Sequence, residues 1–188
     1  TIPICSSQEN KIRAACIVYD AQGKVAGRYD KTHLFDVSIS ETEAYQESAL
    51  IEAGEQSIVL ETPFGKLGLA VCYDLRFPKL FGRLFEKGAE IIAIPAAFTL
   101  KTGEAHWALL NRARAVENFC YVIGSAQGGE HKSGRKTYGH SMIVDPWGIV
   151  LAEKSDSTPG VIVAEIDLDY LQSIRQAIPV ANHRRDLT

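Results

Sequence analysis

The feature that most constrains this chain of 188 residues is the stretch from Leu67 to Pro95. Leu67 to Val71 is a short continuous apolar run, the pattern of a buried strand. It changes abruptly to Cys72-Tyr73-Asp74-Leu75-Arg76. Pro78 then opens a helical pattern with apolar residues at Leu80, Phe81, Leu84 and Phe85, and Gly88 stops it. Ile91 to Ile94 is a second buried strand, closed by Pro95. The unit is strand–helix–strand, for which a right-handed connection is expected. Cys72 falls where the first strand ends, the end at which open α/β sheets bind ligands. A thiol there, beside backbone amides and an arginine, is placed to act as a nucleophile. Taken alone, a cysteine at a strand end is usually a small buried hydrophobe.

The chain before this unit predicts a strand over Ile12 to Tyr19, a turn at Asp20-Ala21-Gln22-Gly23 and a return arm from Lys24 to Tyr29. Asp30-Lys31-Thr32-His33-Leu34-Phe35-Asp36 follows directly. It reads as a charged surface loop or as a lysine held at the rim of a site. Residues 37 to 57 are acidic and irregular, with Glu41, Glu43, Glu47, Glu52 and Glu55 among them. Only Tyr45-Gln46-Glu47-Ser48 gives a carboxylate aromatic and amide company. Gln56 to Leu60 and Lys66 to Cys72 are expected strands about the turn Thr62-Pro63-Phe64-Gly65.

After Pro95, Ala96 to Gly103 is a loop leaving the carboxyl end of a strand, a position suited to substrate contacts. Ala105 to Asn118 is a helix on which Arg114 and Glu117 are spaced for an ion pair. Cys120 to Ala126 is a buried strand with Cys120 in the core, and His131 to Arg135 is a polar loop. Tyr138 to Val144 and Ile149 to Ala152 are strands about the turn Asp145-Pro146-Trp147-Gly148. Val161 to Ile166 is a last strand. Asp167 caps a helix from Leu168 to Ala177, and the tail from Val180 to Thr188 has little core of its own.

The formal net charge of −3 gives no electrostatic case for nucleic acid or an anionic membrane as partner. No apolar run approaches the length of a membrane span and no signal peptide is visible. Cys5, Cys16, Cys72 and Cys120 are widely spaced and form no CxxC pair, which argues against a zinc site or a disulfide framework. Reduced thiols in a cytoplasmic setting are the expectation. There are no internal repeats and no low-complexity linker, so residues 1–188 are read as one domain. Thr1-Ile2-Pro3-Ile4 looks like the interior of a structure, so an N-terminal portion is expected to be absent.

Two strand ends thus carry candidate chemistry, at Lys31 and Cys72. A nearby ammonium favours the thiolate, can hold the oxyanion of a tetrahedral intermediate and can protonate a leaving amine. The backbone N–H of Tyr73 is a second oxyanion donor. A general base is still needed, and a carboxylate would serve.

Four motifs make the sequence resemble the nitrilase superfamily of carbon–nitrogen hydrolases. They are Arg28-Tyr29-Asp30-Lys31-Thr32-His33-Leu34-Phe35-Asp36, Val71-Cys72-Tyr73-Asp74-Leu75-Arg76-Phe77-Pro78, the run from His106-Trp107 through Arg112 to Asn118, and Tyr138-Gly139-His140-Ser141 through Asp145-Pro146-Trp147-Gly148. The resemblance covers nearly the whole chain. It implies an α/β fold, a four-layer α-β-β-α sandwich, with the N-terminal third absent here and two subunits commonly paired as a homodimer. It implies a Glu–Lys–Cys triad with Cys72 as nucleophile, Lys31 as the lysine and Glu47 as the auxiliary glutamate, and no metal or organic cofactor. The general-base glutamate of the family has no match in this chain, Glu9 lying in the wrong context.

Within the superfamily the motifs are most similar to the Nit branch, whose members include amidases for deaminated glutathione and ω-amidases. The loop before Ala105-His106-Trp107 leans toward the former. The implied reaction is hydrolysis of a linear amide through a Cys72 thioester, with ammonia leaving. An ω-amidase, an N-carbamoyl amidohydrolase, a true nitrilase and a non-catalytic binding module remain as alternatives. Arg76 reads as a fork for a substrate carboxylate or as a structural partner of Asp74 or Glu86. Phe98 and Thr102 are candidates for lining the substrate pocket.

Overall fold

The computed structural model describes residues 1–185 apart from Thr42 and Ser133, and leaves the side chain of Ser40 undescribed. Its frame is a six-stranded mixed sheet. The centre is β7 (Gly65–Leu69), β8 (Ile91–Ala96) and β9 (Tyr121–Ala126), paired in parallel. α1 (Pro78–Glu86) joins β7 to β8, and α2 (Leu100–Asn118) joins β8 to β9. At one edge β6 (Val59–Thr62) forms a hairpin with β7, and at the other β12 (Met142–Val144) and β13 (Val150–Glu153) add antiparallel strands.

The strand period of two decides what each face meets. Gly68 and Ile92 face α1, and a Cβ on Gly68 would sit 3.4 Å from Leu84. Gly124 faces α2, where Trp107 approaches so closely that a Cβ would lie 2.7 Å from its ring. On the opposite face Ile91 and Tyr121 pack with Leu171 of α3 (Leu168–Ala177). Asp167 caps α3, accepting from the N–H of Tyr170 at 2.8 Å, as the sequence predicts.

A second sheet, β1 (Ile2–Cys5), β2 (Ile12–Tyr19) and β3 (Val25–Asp30), brings Cys16, Val18 and Tyr29 into the same core as Leu69 and Ile94. Gly27 permits the approach, since a Cβ there would lie 2.5 Å from Leu60. Helices outside a sheet, with a second sheet packed behind it, supply three of the four layers that the resemblance implies. Among the described residues, no helix is long and apolar enough to cross a membrane.

Several local expectations need correction. Pro95 does not close β8 but lies inside it, paired with Ser125 of β9. The carbonyl of Ala93 accepts from Ala70 on the β7 side, so Pro95, two residues on, turns its missing N–H to the side where β7 has already ended. α2 starts at Leu100, five residues early, because Thr99 caps it through the N–H of Thr102. The acidic segment is not wholly irregular. It holds a hairpin of β4 (Asp36–Ser40) and β5 (Glu43–Gln46), then a 3₁₀ turn at Glu47–Ala49.

The strand expected over Tyr138 to Val144 is split by Gly139 and His140, both at positive φ (76° and 58°). β11 (Lys136–Tyr138) therefore pairs with β10 (Gly128–Glu130), while β12 pairs with β9. Val161 to Ile166 forms no strand with the described residues. Exposure alternates along it as in a strand, with Val161 and Val163 outward, but no described strand lies beside it to complete a ladder. In the tail, Val180–His183 forms one short helical turn, α4.

Candidate active site

β3 ends at Asp30, and Lys31 is the next residue. Its backbone is pinned on both sides, N–H to the carbonyl of Ala14 at 2.9 Å and carbonyl from the N–H of Gly54 at 2.8 Å. Gly54 is required here because a Cβ would lie 2.1 Å from the carbonyl oxygen of Asp30. The Lys31 side chain is buried, and a buried ammonium needs a charged partner. It finds Glu47 Oε2, which also accepts from the N–H of Phe35 at 2.6 Å.

Cys72 opens a 3₁₀ turn, Cys72–Arg76, separated from β7 only by Ala70 and Val71. Its φ is 50°, the left-handed region that a side chain with a Cβ rarely adopts. The turn is held by Asp74, which is fully buried. One carboxylate oxygen of Asp74 accepts from the N–H of Val71 and the hydroxyl of Tyr29, both at 2.8 Å. The other meets the N–H of His33 at 3.0 Å and its Nδ1 at 2.7 Å. His33 in turn stacks on Phe77, ring centroids 3.7 Å apart. One carboxylate therefore ties the segment carrying Lys31 to the turn carrying Cys72. Burial and the adjacent Asp74 charge push the Tyr29 hydroxyl far up, so it remains a neutral donor.

Lys31, Glu47, Cys72 and Tyr73 line one cavity of about 640 Å³, and Arg76, Phe98 and Thr102 line it with them. All seven residues singled out in the sequence are thus brought together. Burial pushes the Cys72 thiol up; Lys31, the N–H of Ala97 and Arg135 oppose that, and Glu47 adds to it. The net direction is upward, so the resting sulfur is a thiol, and a nucleophilic role for it would require a base. Glu47 is the only carboxylate among the described lining residues, and it is engaged by Lys31 and Phe35. Glu9 is exposed and does not line the cavity.

Arg76 pairs with neither Asp74 nor Glu86. Asp74 is taken by the network above, and Glu86 faces Arg184 at 3.9 Å. Arg76 instead places Nη2 3.1 Å from His106 Nδ1, with its guanidinium over Phe98 at 5.4 Å. Arg114 and Glu117 do form the expected pair, at 2.7 Å. Sequence reasoning missed Arg135, a cavity residue that lies over the ring of Tyr45 at 5.2 Å and donates to the carbonyl of Ala97 at 2.6 Å. No local signal marked it, because an arginine in a polar loop has the pattern of a solvated one. All four cysteines are free, and among the described residues no group of three or more His, Cys, Asp or Glu could hold a metal ion.

The chain matches the carbon–nitrogen hydrolase family over residues 1–176. It is 45% identical over 187 residues to a deaminated glutathione amidase of Yersinia enterocolitica, covering 98% of this chain and 65% of that protein. The deaminated glutathione amidase of Mus musculus is 48% identical over 179 residues, covering 95% and 55%. The crystal structure of Saccharomyces cerevisiae Nit3, a member of branch 10 of the nitrilase superfamily, superposes with a TM-score of 0.86 at 37% identity, covering 98% of this chain and 64% of that one. The chain therefore spans less than two thirds of the length of these relatives. A match of this extent, on a fold whose cavity gathers the lysine, glutamate and cysteine that the motifs pointed to, makes the chain a member of the carbon–nitrogen hydrolase family, in the Nit branch of the nitrilase superfamily.

Proposed function

We propose that the protein is a thiol amidase that hydrolyses a linear C–N amide bond of a small carboxylate-bearing metabolite of the deaminated glutathione type. The observation that carries this reading is the convergence of the Lys31–Glu47 pair and Cys72 on one cavity. In the proposed reaction a carboxylate base, supplied from outside the described cavity lining, takes the Cys72 proton. The sulfur attacks the amide carbonyl, and the Lys31 ammonium and the Tyr73 N–H hold the oxyanion. The C–N bond breaks, the departing nitrogen takes from that base the proton that came from Cys72, and ammonia or an amine leaves. Water, deprotonated by the same base, cleaves the thioester and returns the thiol. Glu47 holds Lys31 in place.

The absence of a free second carboxylate from the described cavity lining favours one other reading, a binding module with an amidase shell. Turnover by the full-length protein separates the two. Mixed with deaminated glutathione and a panel of ω-amides, it is expected to form a Cys72 acyl adduct visible by mass and to release the carboxylate product. Cys72→Ala and Lys31→Ala are each expected to abolish release. Turnover retained in either variant would sink the assigned roles.

The four unpaired thiols suit a reducing cytoplasmic setting. Pairing into a homodimer is supported by exposed apolar residues on α2 and the adjacent turn. Leu109 and Val116 lie two helical turns apart on one face, and Trp147 and Ile149 flank the Gly148 that touches Val116.

A further inference from the structure

Cations outnumber anions on the cavity wall. Lys31 and Glu47 cancel each other, which leaves Arg76 and Arg135 without a carboxylate partner among the described residues. The two guanidiniums are not equivalent. Arg76 has the His106 ring nitrogen as a partner and two aromatic rings beside it. Arg135 is less satisfied: Nη2 donates to the neutral carbonyl of Ala97, and Nε is shut away from solvent with no acceptor. A guanidinium carries five N–H donors and a full charge, so this arrangement is costly until an anion reaches it. Its position is also close to the chemistry. Ala97, whose carbonyl Arg135 holds, presents its N–H to the Cys72 sulfur, and the charge of Arg135 is felt at that thiol.

We propose that Arg135 is a specificity-determining residue of this cavity, the anchor that binds a carboxylate of the substrate while the amide carbonyl lies against Cys72. Tyr45, beneath the guanidinium at 5.2 Å, fixes its plane, and the hold on Ala97 fixes its reach. An anion bound at this wall also completes the charge balance that the protein leaves open. The inference rests on the amidase reading given above and goes beyond it by naming the residue that selects an acidic over a neutral amide.

The test uses the full-length protein with two amides of similar length, glutaramate, which carries a carboxylate, and pentanamide, which does not. In Arg135→Gln, kcat/KM for glutaramate is expected to fall roughly 10- to 100-fold, mainly through KM, the loss typical of a charged hydrogen-bond partner. The fall for pentanamide should be at least several-fold smaller. Arg135→Lys should recover part of the glutaramate rate, because the charge returns without the planar fork. A parallel fall for both amides would overturn the proposal, since that result marks a role confined to Ala97 and Cys72. Unchanged glutaramate kinetics would overturn it as well.

If the wild-type protein turns over neither of these amides nor deaminated glutathione, the amidase reading fails by itself and binding decides the anchor. Glutarate binding to the Cys72→Ser protein is then followed by calorimetry with and without Arg135→Gln. Binding that is lost with Arg135 supports the anchor; binding that is indifferent to it, or absent from the start, overturns it.

Discussion

Replacing Asp74 by asparagine tests the idea that one carboxylate joins the two halves of the site. The change keeps the shape and removes the charge, and its cost can be worked from the four donors that Asp74 now accepts. With the amide oxygen kept toward His33, the new NH₂ faces the Tyr29 hydroxyl and the N–H of Val71. Tyr29 can turn to accept, since Thr32 Oγ1 lies 2.9 Å away to take its proton. The N–H of Val71 has no such freedom and is left facing another donor. With the amide flipped, His33 can change tautomer, but its backbone N–H cannot.

Either orientation therefore orphans one buried backbone N–H, costing about 1–3 kcal/mol, and weakens the bonds that remain by removing their charge. The total is about 3–5 kcal/mol, the range for breaking a buried charged network. Urea unfolding of the full-length variant should show that loss as a lower midpoint at unchanged slope. A loss below about 1 kcal/mol would refute the reasoning, because it would mean that water or a relaxed backbone satisfies the orphan.

Three further outcomes follow from the same geometry. The rate of Cys72 alkylation by acrylamide should rise with pH at a midpoint above that of an ordinary thiol, and Lys31→Met should move the midpoint higher still, since the ammonium now favours the thiolate; a shift downward in that variant would contradict the assignment. Cys120 is fully buried with its thiol pushed up to about 12, so peptide mapping at pH 8 should find exposed Cys5 alkylated and Cys120 untouched until the protein unfolds. Gly54→Ala should destabilise by about 1–3 kcal/mol and lower turnover by displacing Asp30 and Lys31, and wild-type kinetics in that variant would show that the loop yields without moving the lysine.

The parts of the fold that were legible are those fixed by local chemistry. The apolar runs Leu67 to Val71 and Ile91 to Ile94, each bounded by turn signals, mark the buried strands β7 and β8, and Asp167 marks its helix by capping it. Pro95 misled because its tolerance depends on where the neighbouring strand stops, which β8 does not encode. The hairpin of β4 and β5 was hidden by its acidic residues, and the break at Gly139 and His140 by an otherwise strand-like run.

The site divides in the same way. Cys72 and Lys31 each announce themselves at a strand end, yet nothing in their spacing makes them meet, and it was the resemblance that joined them to Glu47. Arg135 was illegible because what distinguishes it, Ala97 and Tyr45 as neighbours, lies 38 and 90 residues away. Arg76 is legible as a cation near the site, but its actual partner, His106, lies on α2, 30 residues further along the chain.

The left-handed backbone at position 72 has a consequence for anyone engineering this scaffold. Glycine would occupy that conformation without strain, whereas a residue with a Cβ gives up on the order of 1 kcal/mol or more to stay there. Heat tolerance and chemistry therefore pull this one codon in opposite directions, and a library screened only for melting temperature should drift toward hardier proteins that have lost their sulfur.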